Sequence, residues 1–348
     1  MPATLRAAVI GVGNMGRNHA RVYASMEGVE LVAVSDVNPA NAYNAGAMYR
    51  CNAYTDYRAM LAGEQIDLVS VVVPTAEHFV VASEVIDAGV NLLIEKPIAA
   101  TVEEGQALID AAHRAGVLLT VGHIERFNPA IIALKEQIDD HELGGVFQIS
   151  ARRVGPFPPR IRDVGVVIDL ATHEVDILNY LIGAPICRMH VELHRHIHQF
   201  HEDMLSAVLR FQNGVIGILD INWLTPTKIR ELSVIGERGM YVANYLTQDL
   251  TFYENDYCQG TQWTELARMG VTEGRVIRQK VQRREPLLEE LKAFGECVRN
   301  GTAPRVSGES GLAALTLAKE LVRVGTQSHL PVVAQPRPLE RAVGLMGG

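Results

Sequence analysis

Two short stretches carry side chains suited to moving a proton and steadying a charge. In "LLIEKPIA", residues 92–99, Glu95 and Lys96 close an apolar run and stand before Pro97. Proline restricts the residue before it to extended conformations, so Lys96 is held in a fixed direction. In "DVGVVIDLATHEVDILNYLIG", residues 163–183, a helical period puts Asp169, His173, Asp176 and Tyr180 on one narrow face. Leu170, Ile177, Leu178 and Leu181 fall on another, so one side can be buried while the other offers a carboxylate and an imidazole. A solvated Glu-Lys pair and a solvated helix face are the plain alternatives at these two places.

A third stretch, "AAVIGVGNMGRNHARVYAS", holds Gly11, Gly13 and Gly16 between an apolar strand and a helix, with Asn14 and Met15 in the turn. Glycines there let a backbone approach a pyrophosphate and let helix and strand pack closely, while the helix N-terminus attracts the anion. Asp36 follows at the end of the next strand, where a carboxylate accepts hydrogen bonds from an adenosine ribose and repels a 2′-phosphate. NAD is therefore expected over NADP. A glycine turn beside an ordinary surface aspartate would share this pattern.

These groups need a scaffold, and the chain supplies one. Short apolar runs ("LRAAVIGVG", "VELVAVSDV", "DLVSVVVPT", "VNLLIEKP", "VLLTVGH") alternate with helical patterns, which predicts a doubly wound parallel sheet over residues 1–122. Thr101 and Glu104 form a capping pair ahead of one helix, which Gly116 stops. From residue 123 to 336 successive strands with glycine turns predict an α+β domain with an open, mostly antiparallel sheet, and "RFQNGVIG" has the Asn-Gly mark of a tight hairpin. Glu309 to Thr326 returns to helix, and residues 337–348 look like a tail. The class is α/β: a Rossmann domain followed by a second domain.

Composition narrows the field. With 348 residues, 48% hydrophobic, and a net charge of -8, the chain suits a soluble two-domain protein with no concentrated basic stripe for nucleic acid. No apolar run is long enough to cross a membrane, and the start of the chain lacks a signal-peptide core. Cys51, Cys187, Cys258 and Cys297 form no CxxC pair and are expected as reduced thiols in a cytoplasmic protein. His194, His196 and His198 alternate in "HRHIHQFHED" and are expected on one face of a strand, at a sheet surface or interface. No metal is expected there or elsewhere.

The glycine motif, "VVVPTAEH" and "EKPIA" together resemble the Gfo/Idh/MocA oxidoreductase family, over most of the chain. The resemblance implies that Lys96 lies beside nicotinamide and substrate, and that Pro74, Thr75, His78 and Glu95 border the cofactor. The family pattern of Asp, three residues, His and a nearby Asp maps onto Asp169, His173 and Asp176. By that resemblance His173 takes a hydroxyl proton and Asp169 binds substrate hydroxyls or orients the site. A neutral imidazole titrates in the right range for this, and a lysine ammonium stabilises a developing alkoxide. Only Gly165 remains of the glycines that many relatives carry before this helix.

For the substrate, Arg126 and Asn128 in "GHIERFNPA" follow the last Rossmann strand, and "RRVGPFPPRIR" adds Arg152, Arg153, Arg160 and Arg162 as a grip for a diphosphate. A wet surface is the alternative for these arginines. Within the family these stretches resemble members that oxidise the 3-hydroxyl of UDP-N-acetylglucosamine with NAD. That resemblance implies a 3-keto product for a PLP-dependent aminotransferase, and a dimer or tetramer formed through the second sheet. An inositol-type dehydrogenase of a free polyol and a non-catalytic NAD-binding regulator are the competing readings.

Overall fold

The computed structural model describes residues 4–158, 164–256 and 274–327. Six strands, β1 (Leu5–Ile10), β2 (Val29–Ser35), β3 (Asn52–Tyr54), β4 (Leu68–Val71), β5 (Asn91–Glu95) and β6 (Leu119–Gly122), form a parallel sheet in the order β3-β2-β1-β4-β5-β6. The helices between them are α1 (Asn14–Ser25), α2 (Pro39–Tyr49), α3 (Tyr57–Gly63), α4 (His78–Asp87) and α5 (Val102–Ala115). Covered on both faces, β4 and the middle of β5 are buried throughout, as their unbroken apolar runs require. The order reverses between β1 and β4, opening a crevice at their C-terminal ends, where Gly11 and Pro74 lie. The capping box of Thr101 with Glu104 forms, and Gly116 ends α5 in the left-handed conformation. The segment α2-β3-α3 lies between the runs quoted from the sequence. Its strand has three residues, too few to show a period.

After α6 (Pro129–Asp139), a second sheet is built from β7 (Val146–Val154), β8 (Ile186–His194), β9 (Met204–Phe211), β10 (Ile216–Asn222), β11 (Ile229–Gly236), β12 (Gly239–Asn244), β13 (Asp249–Glu254) and β14 (Val276–Arg278). Its order is β14-β13-β12-β11-β7-β10-β9-β8, antiparallel except where β7 meets β10. The turn at Asn213 and Gly214 closes the β9–β10 hairpin, with Gly214 at φ 93°. Strict alternation along β9 and β11 buries Leu205, Ala207 and Leu209, and Leu232 and Val234, against α7 (Thr172–Ile182), leaving the other face open.

The expected helix over 163–183 is modified at its start. Residues Val167–Ala171 form a single π-helical turn before α7 begins. Such turns shift the face on which later side chains stand and concentrate at functional sites. The backbone carbonyl of Glu202 accepts from Val166 N–H at 2.9 Å, and its carboxylate accepts from Val167 N–H at 3.2 Å. A Cβ on Gly165 would displace the Glu202 carboxylate from its present position.

The histidine alternation is corrected. The strand β8 stops at His194 because Asp203 draws the backbone N–H groups of His196, Ile197 and His198 onto its carboxylate, curling the chain into a loop. His198 is buried and packs by Trp223 and His201 rather than on a strand face.

Two final helices, α8 (Pro286–Asn300) and α9 (Gly308–Gln327), turn back to the first half. Leu287, Leu291 and Phe294 share a core with Leu5, Val9 and Tyr23, while Val306 and Leu315 join Leu108, Leu119 and Val121. The boundary drawn at residue 122 is thus crossed again by the end of the chain. The expected tail, Arg160, Arg162 and Cys258 lie outside the described residues. No described helix is long and apolar enough to cross a membrane.

Candidate active site

At the N-terminus of α1 the residues suit a dinucleotide. Gly11 has φ 86°, and a Cβ on it would strike the Val72 carbonyl; one on Gly16 would strike the Gly11 carbonyl. Gly13, the N-cap, faces open space, with no atom within 4 Å of where its Cβ would stand. No side chain caps α1, so its first N–H groups remain free to meet phosphate oxygens, beside Asn14 and Met15. Asp36, just past β2, accepts from Val12 N–H at 2.9 Å and Asn38 N–H at 2.8 Å, which fixes its carboxylate beside the glycine turn. Pro74 and Thr75 open the turn after β4.

His78 lies next to this wall but turns inward. Its Nδ1 sits 2.8 Å from the Pro97 carbonyl and its Nε2 3.0 Å from that of Val73. A neutral ring has one N–H to donate, and burial lowers the His78 pKa. Its visible work is to tie the loop after β4 to the loop after β5. Glu95 is oriented from behind in the same way. His19 Nε2 meets Glu95 Oε1 at 3.1 Å, His19 Nδ1 meets Ser70 Oγ at 3.0 Å, and Tyr23 reaches the same hydroxyl at 2.9 Å. Burial would raise the Glu95 carboxyl, but the His19 hydrogen bond and the Lys96 charge hold it below the usual carboxylate range. The sequence pointed to Glu95 and missed His19, whose one signal was an imidazole on the buried face of α1.

Lys96 crosses the cleft. Its Nζ donates to the Asp169 backbone carbonyl at 2.7 Å and lies 3.4 Å from Asp169 Oδ1. The Lys96–Pro97 peptide bond is cis. His173, one turn beyond Asp169, is half-buried and makes no hydrogen bond to the described residues, and its Nδ1 is sealed from solvent. Burial, then the charges of Lys96 and Arg153, hold the imidazole well below its ordinary pKa. The ring is therefore neutral at physiological pH and can accept a proton. Lys96 and Asp169 are in contact, and the charge of Lys96 reaches the His173 ring.

The arginines are arranged differently from that reading. Arg126 donates through Nε and Nη2 to both oxygens of Asp176, at 2.8 and 2.6 Å, so the third stripe residue is a buried counter-ion. Tyr180 lies under the same guanidinium. Arg153 is held by Glu174 and, at 2.6 Å, by Glu125, with the Tyr245 hydroxyl donating to Glu174 at 2.9 Å. Burial opposes the Arg153 charge, and the two carboxylates overcome it and raise the pKa. Asn128 caps α6, accepting from Ala130 N–H at 3.1 Å, and donates to the Tyr245 carbonyl at 3.0 Å. Arg152 is exposed and paired with Asp220 at 3.1 Å. These partners are far apart in sequence, and nothing in the local pattern marked them. His123, at the end of β6, is also buried near Asp176 with neither ring nitrogen bonded, and burial lowers its pKa.

Comparison with known proteins identifies the family. Residues 5–123 match the family described as an oxidoreductase family with an NAD-binding Rossmann fold, and residues 131–242 match the GFO/IDH/MocA C-terminal domain. The UDP-N-acetylglucosamine 3-dehydrogenase of Acidithiobacillus ferrooxidans is 31% identical, over 94% of this chain and 98% of its own. A solved structure of that enzyme superposes with a TM-score of 0.83 at 29% identity, covering 93% of this chain and 99% of the other. The scyllo-inositol 2-dehydrogenase (NAD(+)) of Bacillus subtilis is 27% identical, over 88% of this chain and 90% of its own.

Proposed function

Because the chain belongs to the Gfo/Idh/MocA family of NAD-binding oxidoreductases, which makes it a dehydrogenase of sugar hydroxyls, we propose that its substrate is a nucleotide sugar. The reaction we assign is oxidation of the 3-hydroxyl of UDP-N-acetylglucosamine to the ketone. The observation that supports the chemistry is the contact of Lys96 with Asp169, with the Lys96 charge acting on the neutral His173 ring. The choice of sugar is supported by the likeness, over nearly the full length of both chains, to a dehydrogenase named for that substrate.

In this reading the substrate hydroxyl lies between Lys96 Nζ and the His173 ring. His173 accepts the hydroxyl proton as the C–O bond gains double-bond character. The Lys96 ammonium stabilises the developing alkoxide, and Asp169 holds the ammonium in place from the opposite domain. NAD, when bound, supplies the acceptor for the hydride leaving the carbinol carbon. Glu95, braced by His19, borders the cofactor side and fixes the strand end from which Lys96 projects. The ketone formed suits a PLP-dependent aminotransferase as the next enzyme.

A free cyclic polyol is the second reading. It is favoured by the engagement of Arg126 and Arg153 with carboxylates, which removes both from the diphosphate grip inferred from sequence, and by the likeness to an inositol dehydrogenase. Measuring NADH formation against a panel of nucleotide sugars, free sugars and cyclitols decides between them. Faster turnover of inositols than of any nucleotide sugar defeats the first reading.

The open face of the second sheet carries Val208, Ile218 and Val242 in one cross-strand row through Ser150 and Ser233, and we assign it to a dimer or tetramer contact. The free thiols of Cys51, Cys187 and Cys297 suit a reducing compartment such as the cytoplasm.

A further inference from the structure

Three arginines are buried among the described residues: Arg126, Arg153 and Arg230, at 7%, 5% and 9% exposure. The first two present the Nε–Nη2 edge of the guanidinium to carboxylates, Asp176 for one and Glu174 with Glu125 for the other. Arg230 differs. Its Nη1 donates to the carbonyls of Val154 at 2.6 Å and Ile229 at 2.9 Å, while Nε and Nη2 meet no partner among the described residues. The edge left over has two parallel N–H groups, the geometry that takes a carboxylate or a phosphoryl group side-on.

Its place in the fold brings Arg230 within electrostatic reach of the chemistry. Arg230 pairs in register with Arg153 across β11 and β7, and both occupy the inner face of the sheet, under α7. Arg153 binds Glu174, the residue after His173. The charge of Arg230 reaches both His173 and Asp169. Burial first, and Arg153 second, pull the Arg230 pKa down to about 10, so it stays charged at neutral pH but is poorly compensated. A buried guanidinium without a paired anion is costly, and an incoming anion relieves that cost.

We propose that Arg230 is the residue that selects the substrate, by taking an anionic oxygen group carried close to the carbon that is oxidised. The proposal rests on the sugar-oxidising reading of the site and deepens it, because it excludes neutral sugars and cyclitols as preferred substrates. The anion has two sources of the same chemistry: the phosphoryl group next to the sugar in a nucleotide sugar, or a carboxylate on the sugar ring.

The experiment compares the wild type with Arg230→Met, which keeps the apolar stem, and Arg230→Lys, which keeps the charge without the fork. Each is assayed with UDP-N-acetylglucosamine, its uronate, N-acetylglucosamine 1-phosphate and neutral N-acetylglucosamine, with NADH binding and melting temperature measured alongside. The preference, kcat/KM for the anionic over the neutral sugar, is expected to fall about 100-fold in Arg230→Met, mainly through KM. Arg230→Lys is expected to recover about tenfold of that. Loss confined to the advantage of the uronate assigns the carboxylate; equal loss for every phosphate-bearing sugar assigns the phosphoryl group. An unchanged preference in a folded Arg230→Met overturns the proposal. If that variant does not fold, Arg230→Lys carries the test: a tenfold drop in preference supports it and an unchanged one overturns it. A wild type that favours neutral polyols defeats the nucleotide-sugar reading and this proposal together, which separates that failure from a failure of Arg230 alone.

Discussion

Lys96 Nζ donates to the backbone carbonyl of Asp169 at 2.7 Å, so a strand end of the first domain is joined to the π-turn of the second at the point where the chemistry is assigned. The bond fixes the ammonium by main chain rather than by a mobile side chain alone.

Removing either reacting group should stop turnover without losing the cofactor. Lys96→Met is expected to lower kcat by about 10²–10³-fold, and His173→Ala by about 10²–10⁴-fold. NADH binding, followed by fluorescence, should change only a few-fold in each. A His173→Ala enzyme with wild-type kcat would remove the imidazole from the mechanism.

Cofactor choice should turn on Asp36. Its carboxylate is pinned by Val12 and Asn38 N–H groups and cannot swing away from a 2′-phosphate. Asp36→Ala is expected to cut the preference for NAD over NADP by at least about tenfold, since a contact of like charges costs on the order of 1–4 kcal/mol. A wild type that already prefers NADP contradicts this assignment.

The pH profile should carry the mark of the depressed imidazole. Burial and the charges of Lys96 and Arg153 lower His173, so the acid limb of kcat/KM is expected below the ordinary value of about 6.5. Stability follows with the same sign. His78, His123 and His173 all have folded pKa values below the unfolded value, so the unfolded chain binds more protons as pH falls. Their contribution is intact above about pH 6.5 and is lost as pH drops from there, before most carboxylates titrate. A melting temperature that stays level from pH 7 to pH 5 would count against it.

Glu290 gives the opposite slope. It is buried on α8 with neither carboxylate oxygen bonded, and burial raises its pKa well above the usual range, with Glu95 and Glu125 adding to the effect. Its stabilising contribution is present below the unfolded pKa and lost as pH rises toward the folded one. Glu290→Gln should therefore raise the melting temperature at pH 8, by about 2–4 °C per kcal/mol gained, and do little at pH 4. Equal shifts at both values would point to packing instead.

The π-turn should be intolerant of a single methyl group. Gly165→Ala sets a Cβ against the Glu202 carboxylate, which holds the Val167 N–H. We expect kcat to fall about tenfold or more while the melting temperature shifts by only a few degrees, since a 1 Å misplacement of catalytic groups is costly. Wild-type kcat in Gly165→Ala would show that Glu202 does not set the turn.

What could be read from sequence followed the range of the interaction. The glycine turn, the capping box and the Asn-Gly hairpin are local patterns, and each forms where its residues predict. Arg126 and Arg153 show the limit. Their counter-ions are 50 and 21 residues away, so no spacing rule could tell a substrate grip from an internal ion pair. The histidine loop failed for a different reason, since Asp203 is near in sequence but bends the loop through backbone groups that carry no residue identity.

The return of the last two helices has a consequence for how the enzyme can be taken apart. Leu287, Leu291 and Phe294 wall the first sheet's helices on one side, and Val306 with Leu315 closes them on another. A fragment ending at residue 122 would lose that wall, leave Leu5, Tyr23, Leu108 and Leu119 uncovered, and is expected to aggregate. Grafting a foreign substrate domain onto this nucleotide half would succeed only if the native C-terminal helices travelled with the nucleotide half.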